Sequence, residues 1–184
     1  MGEARRRLFF ALWPDEPAQV ALRRVVASLR TTTQARWVPA DRWHMTLAFL
    51  GMVPEERLAT LKTLGDALSG EACKLVLDRV EWWRKPGVLC LTPSITPVAL
   101  TRLAESLSQR LHDAGFELER RAFRPHLTLA RKAQFVASDS TWQGSIPWHV
   151  DALHLVESKS EAGGNCYRIL YSWALGTDSD RPEE

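Results

Sequence analysis

Apolar positions along the chain fall into short runs and helical stripes, separated by turns rich in glycine, proline and charge. Leu8 to Trp13 is an apolar run that predicts a strand. Pro14 ends it, and Asp15 is placed to cap a helix with Leu22, Val25, Val26 and Leu29 on one face. Thr31 to Trp37 reads as a loop by composition, leading to a strand at Trp43 to Leu50 that Gly51 and Pro54 close. A second helix covers about Glu55 to Leu68, striped by Leu58, Leu61, Leu64 and Leu68. Cys73 to Val80 alternates as a half-buried strand, with Val88 to Thr92 as its neighbour across the Lys85-Pro86-Gly87 turn. The third helix runs from about Val98 to Ala114, turns Leu100, Leu103, Leu107 and Leu111 inward, and stops at Gly115. Strands follow around Phe116, at Pro125 to Arg131, at Trp148 to Glu157 and at Cys166 to Leu175, with a hairpin turn at Glu161 to Asn165.

Helices and strands mix without regular βαβ alternation, and several strands are joined by short turns. The fold class expected is therefore α+β, with antiparallel sheets and helices packed outside. A helix, a similar strand and a hairpin-like pair recur in each half, which hints at two related lobes. Residues 1–176 are expected to form one domain, and 177–184 a disordered tail.

At 184 residues, with 45 % hydrophobic residues, the chain can bury a core of ordinary globular size. A net charge of +2 imposes no global field that would dictate a nucleic-acid or membrane partner. The three cysteines, Cys73, Cys90 and Cys166, are odd in number and sit in apolar runs, so they read as small core residues rather than a disulfide framework. The basic start has too short an apolar run for a signal peptide, and no run approaches the roughly 18 residues of a membrane helix. A soluble cytoplasmic protein is expected.

Two strand-like stretches repeat one pattern: WHMTLAFL from Trp43 to Leu50, and PHLTLA from Pro125 to Ala130. Residues two apart in a strand share a face, so His44 pairs with Thr46 and His126 with Thr128. A doubled His–Thr pair points to a site with approximate twofold symmetry, in which two imidazoles face each other across a substrate. With an ordinary pKa of about 6.5, one imidazole can serve as base while its protonated partner serves as acid. Each threonine hydroxyl can donate to a non-bridging oxygen of an anion held between them. In-line displacement at a phosphodiester is the chemistry that fits. A metal site is disfavoured because neither motif carries a neighbouring Cys or carboxylate ligand, and no G-x-S-x-G nucleophile elbow is present.

RLFFALWP, HMTLAFLG and FRPHLTLAR, in this order and with 82 residues from His44 to His126, resemble the RNA 2′,3′-cyclic phosphodiesterases, or 2′-5′ RNA ligases, of the two-histidine (2H) phosphoesterase superfamily. The resemblance spans Leu8 to about Leu175. It implies a bilobal fold with a central cleft and a reaction that needs no metal or cofactor, in which a terminal 2′,3′-cyclic phosphate becomes a 2′-phosphate. By motif position His44 would protonate the leaving 3′ oxygen and His126 would activate water. Thr46 and Thr128 would hold the phosphate oxygens, Arg131 would add a charged contact, and Phe10 and Phe49 would line the nucleoside end. One feature resists simple strand geometry: Phe49 and Arg131 each lie five residues beyond their histidine, an odd spacing that aims them away from the cleft unless a bulge intervenes.

His112 falls in the last turn of the third helix, where a cation favours the dipole, and His149 and His154 read as structural or surface residues on opposite faces of one strand. Trp43 is expected in the core, and Trp37 is a candidate for stacking on a base. Arg120, Arg121, Arg124, Arg131 and Lys132, with Phe123 among them, form the densest basic stretch, suited to an RNA end, whereas Arg5 to Arg7 could be a loose arm. The expected substrate is RNA with a 2′,3′-cyclic phosphate end, bound by a monomer without membrane or metal. Two alternatives remain open: a superfamily phosphodiesterase acting on a small cyclic nucleotide or oligoadenylate, and a module that binds RNA ends without turnover.

Overall fold

Leu8, Phe9, Phe10, Ala11 and Leu12 are all buried, so the strand β1 (Arg5–Leu12) has no solvent face to betray its parity. The computed structural model describes residues 4–119, 122–135, 142–161 and 164–176, and every structural statement below concerns these. Arg120, Arg121, the middle of the 161–165 turn and the tail 177–184 lie outside them. Arg5, Arg6 and Arg7 open β1 rather than forming a loose arm, and Arg6 is paired with Glu55.

After β1, Asp15 caps α1 (Glu16–Arg30) as its sequence position implies: its Oδ1 accepts from the Ala18 amide at 2.9 Å. The apolar stripe of α1 is buried. β2 (Gln34–Trp37) occupies part of what composition marks as a loop, because a partner strand from the second half offers it a ladder. β3 (Met45–Pro54) carries the first motif and runs through Gly51, whose φ of 67° suits a glycine inside a bulged strand. A 3-10 turn at Glu55–Arg57 leads into α2 (Leu58–Asp66). The expected strand at Cys73 to Val80 is two strands, β4 (Cys73–Leu77) and β5 (Arg79–Trp83), which belong to different sheets. Between them Asp78 accepts from the Ser94 amide at 2.6 Å. β6 (Val88–Thr92) follows across the anticipated turn.

α3 (Val98–Asp113) buries its leucine stripe and ends at Gly115 with φ of 76°. There the Phe116 amide donates to the Leu111 carbonyl at 2.9 Å, and the Gly115 amide to His112 at 2.8 Å. This is a helix-terminating Schellman pair, so Phe116 is folded back under Arg57, 4.1 Å away, and forms no strand. β7 (Leu127–Phe135) carries the second motif. The single strand expected at Trp148 to Glu157 is also two, β8 (Ile146–Val150) and β9 (Ala152–Glu161), separated at Asp151. β10 (Gly164–Ala174) pairs back on β9.

Two four-stranded antiparallel sheets result, in the orders β10-β9-β1-β3 and β2-β7-β6-β5, with β4 and β8 as a separate pair. This is the expected α+β architecture. Leu8, Phe10 and Leu12 of the first sheet and Leu89, Leu91 and Leu127 of the second share one core with the stripes of all three helices. Trp43 is buried, as expected, and donates its indole N–H to the Val38 carbonyl at 3.1 Å. Of the cysteines, Cys90 is buried and Cys73 half-buried, but Cys166 is exposed on β10, contrary to its expected place in the core. No described helix is long and apolar enough to cross a membrane.

Asp15 also ties α1 to β8, since its Oδ2 accepts from the His149 amide at 2.9 Å. Asp15→Ala removes both contacts and is expected to cost about 1–2 kcal/mol, measured as a drop in the urea midpoint at unchanged m-value.

Candidate active site

β3 and β7 approach each other where the two sheets meet, and each motif histidine lies one residue ahead of its strand. The two imidazoles are held in the same way. His44 Nδ1 lies 2.7 Å from the Arg42 carbonyl, and His126 Nδ1 lies 2.8 Å from the Arg124 carbonyl, in both cases two residues back. A carbonyl only accepts, so Nδ1 carries the hydrogen in both rings and Nε2 is left to exchange protons.

The strands then depart from regular pleating at the same offset. In β3, Thr46 lies opposite Ala11 and Ala48 opposite Phe10, so Leu47 is an extra residue. In β7, Thr128 lies opposite Cys90 and Ala130 opposite Leu89, so Leu129 is the extra one. A bulge at the third residue after each histidine shifts the later side chains across the sheet. Phe49 is thereby opposite Phe9, on the face that carries Thr46, and Arg131 comes to the face of Thr128, opposite Arg36 of β2. The odd spacing of Phe49 and Arg131 is thus compatible with a shared cleft face. Among the described residues, the Thr46 and Thr128 hydroxyls have no hydrogen-bond partner, which leaves both free to donate.

The surroundings of the two histidines differ. His44 sits in an aromatic box, with the Phe9 and Trp13 rings each 5.1 Å away and Tyr167 edge-on at 5.2 Å. Burial, chiefly, pushes its pKa down to about 4; the Arg42 carbonyl opposes this, and the charges of Arg131 and His126 add to it. His126 meets Trp83 at 4.8 Å, and Arg124 lies over that indole at 4.5 Å. Burial again lowers its pKa most, the Arg124 carbonyl raises it, Arg124 and Arg131 lower it, and Glu81 raises it. Arg131 therefore acts on both imidazoles at once. Arg36 and Arg131 oppose each other on β2 and β7, a like-charge pairing that an anion between them would relieve.

Phe10 does not line this site. It is fully buried in the core, its ring 5.9 Å from Trp173, and the residue facing His44 is its neighbour Phe9. Phe49 is 41 % exposed beneath the Arg7 guanidinium, 5.0 Å from its ring. A groove of about 1110 Å³ runs from Thr46, Phe49 and His126 past Trp83 and Arg124 to Glu105 on α3; His44, within its aromatic box, is not part of this lining. Trp37 is half-buried in β2, with Arg30 5.5 Å from its ring. His149 and His154 lie in different strands, so their expected relation across one strand does not hold. His154 stands opposite Ala11, which stands opposite Thr46, and so belongs to the cleft-face row. Trp13, Tyr167, Trp83, Glu81 and Arg36 also frame the site; alternation from Phe9 could have reached Trp13, but no local pattern marks the others. Among the described residues, no cluster of three or more His, Cys, Asp or Glu side chains is arranged to hold a metal.

Comparison with known proteins gives one consistent result. The sequence profile described as LigT-like phosphoesterase matches residues 12–90 and, a second time, 91–167, one match for each motif. The chain is 32 % identical to the RNA 2′,3′-cyclic phosphodiesterase of Escherichia coli strain K12, over 92 % of this chain and 97 % of that one. It is 27 % identical to the enzyme of the same name from Thermus thermophilus, over 96 % and 94 %. The crystal structure of E. coli LigT complexed with 3′-AMP superposes with a TM-score of 0.86 at 29 % identity, covering 94 % of this chain and 99 % of that chain.

Because the Arg131 charge lowers both imidazoles, Arg131→Gln is expected to make His44 and His126 both titrate at higher pH than in the wild type. Imidazole proton NMR over pH 3–9 checks this, and unmoved resonances would show that Arg131 lies too far from the pair to act on it.

Proposed function

The chain belongs to the LigT-like phosphoesterase family, and from that premise we propose that it hydrolyses RNA 2′,3′-cyclic phosphate ends to 2′-phosphates by acid–base transfer between His44 and His126. The observation that carries this reading is the matched pair itself: two imidazoles pinned at Nδ1 by backbone carbonyls, each followed by a threonine hydroxyl that has no partner among the described residues. Its relatives bear the name of this activity, and LigT has been captured with 3′-AMP.

In the proposed reaction, the cyclic phosphate lies between the histidines, with Thr46, Thr128 and Arg131 on its non-bridging oxygens. Water attacks phosphorus as His126 Nε2 takes its proton. The bond to the 3′ oxygen breaks, and His44 Nε2 delivers a proton to that oxygen, leaving a 2′-phosphate and a free 3′ hydroxyl. The choice of His44 as acid and His126 as base follows motif position.

The free protein holds His44 mostly neutral at pH 7, because burial outweighs every other influence on it. A phosphodiester anion beside the ring reverses part of that effect by favouring the imidazolium. Substrate binding therefore helps to charge the acid. With the same two groups moving protons, a 2′,3′-cyclic end and a 5′ hydroxyl can join as a 2′-5′ linkage, with water competing as nucleophile.

Purified protein incubated in EDTA with a short RNA ending in a 2′,3′-cyclic phosphate is expected to release only the 2′-phosphate product, identified by mass and phosphate position. His44→Ala and His126→Ala should each lower kcat/KM by on the order of 10²–10⁴, with the wild-type profile bell-shaped in pH. Activity that vanished with EDTA and rose steadily with pH would instead indicate a metal hydroxide. Binding without turnover would favour the recognition module.

A further inference from the structure

The cleft faces of the two sheets carry matching rows of residues, and the rows end differently. In the first sheet, Thr46 of β3 lies opposite Ala11 of β1, which lies opposite His154 of β9. In the second, Thr128 of β7 lies opposite Cys90 of β6, which lies opposite Glu81 of β5. Glu81 thus holds the place that His154 holds in the other lobe.

The two end residues engage their surroundings differently. His154 pairs with the Ser172 hydroxyl at 2.8 Å and meets the edge of Trp13 at 6.0 Å; none of its contacts reaches Arg42, whose carbonyl holds His44. Glu81 accepts from the Trp83 indole N–H at 2.7 Å, from the buried Thr92 hydroxyl at 2.9 Å, and from the Arg124 guanidinium. Two of those donors bear directly on His126. Trp83 lies against its ring, and the Arg124 carbonyl accepts its Nδ1–H. Thr92 comes from β6, so the carboxylate joins β5, β6 and the segment before β7 at one point.

We propose that Glu81 is the positioning residue for His126: by gripping Arg124 and Trp83 together it fixes the carbonyl and the indole that orient the imidazole, whereas among the described residues no side chain grips Arg42 and Trp13 together at His44. The inference rests on the phosphodiesterase reading only for its effect on rate. Burial of Glu81 favours its neutral form, but the bonds from Trp83 and Thr92 and the charge of Arg124 outweigh that, so its carboxyl titrates below its ordinary range and is ionised at neutral pH. The groups that face His126 are Arg124 from its own segment, Arg131 from β7, Glu81 from β5 and His44 from beside β3. Cys90 of β6, its thiol pushed up to about 12 by burial first and by Glu81 next, adds no charge. Glu81 is the one anion in this set. His126 is thereby electrically distinct from His44, whose shift comes from burial, the Arg42 carbonyl, Arg131 and His126.

The test combines histidine NMR titration with kinetics on the full-length protein. In Glu81→Gln, His126 should titrate at lower pH while His44 stays in place. kcat should fall by on the order of 10- to 100-fold with KM little changed. The same substitution in a His126→Ala background should cost nothing further. Arg124→Gln should lower kcat through the same lost grip, yet move the His126 titration upward, since it removes a cation; its exposed side chain makes it the second variant should Glu81→Gln fail to fold. A His126 titration unmoved by Glu81→Gln, or an undiminished kcat loss in the His126→Ala background, would reduce Glu81 to a structural tie and overturn the proposal. The titrations need no turnover, so an inactive wild type would sink the phosphodiesterase reading and leave this inference to be decided by NMR.

Discussion

Two extra residues, Leu47 and Leu129, set the geometry on which the site depends. Each is a bulge one position beyond a threonine, and each lets the strand place a polar pair before it and a fifth-residue side chain after it on the same face. Without the bulges, regular pleating would bring either the threonines or Phe49 and Arg131 to the cleft, but not both sets. The extra leucines cost little, because their side chains remain apolar contacts in the core cluster: Leu129 is fully buried and Leu47 packs against it.

The second determinant is desolvation. Both histidines are lowered mainly by burial, with neighbouring cations adding to the effect. A neutral imidazole whose Nδ1–H is held by a carbonyl is a ready base at Nε2, and it becomes an acid only once negative charge arrives. An aromatic box around one ring and a charged cradle around the other then give two similar motifs different surroundings. The pseudosymmetry is therefore one of backbone, and the chemistry of the two halves diverges in the side chains packed behind it.

Much of the fold was legible in the pattern of residues. α1 with its Asp15 cap and α3 with its leucine stripe and Gly115 stop stand where periodicity and capping place them, because those signals are local. Strand boundaries were less legible. Asp78 and Asp151 each divide what reads as one apolar strand into two, and in both cases the halves join different sheets, a choice made by distant partners. β2 was missed because it is short and polar, and it pairs with a strand whose sequence lies nearly a hundred residues away.

What the sequence determined by itself is the repeated His-x-Thr and the chemistry those residue types allow, since two residues apart on a strand fixes a shared face whatever lies around it. Which face of β1 met the site could not be read, because Leu8 to Leu12 is apolar throughout; tertiary packing sent Phe10 to the core and Phe9 to His44. The cradle of Glu81, Trp83 and Arg124 was equally hidden. Its members are separated in sequence by up to 43 positions and meet only when β5 and the segment before β7 are brought to one sheet face, so their contact is a property of strand pairing and leaves no local signature.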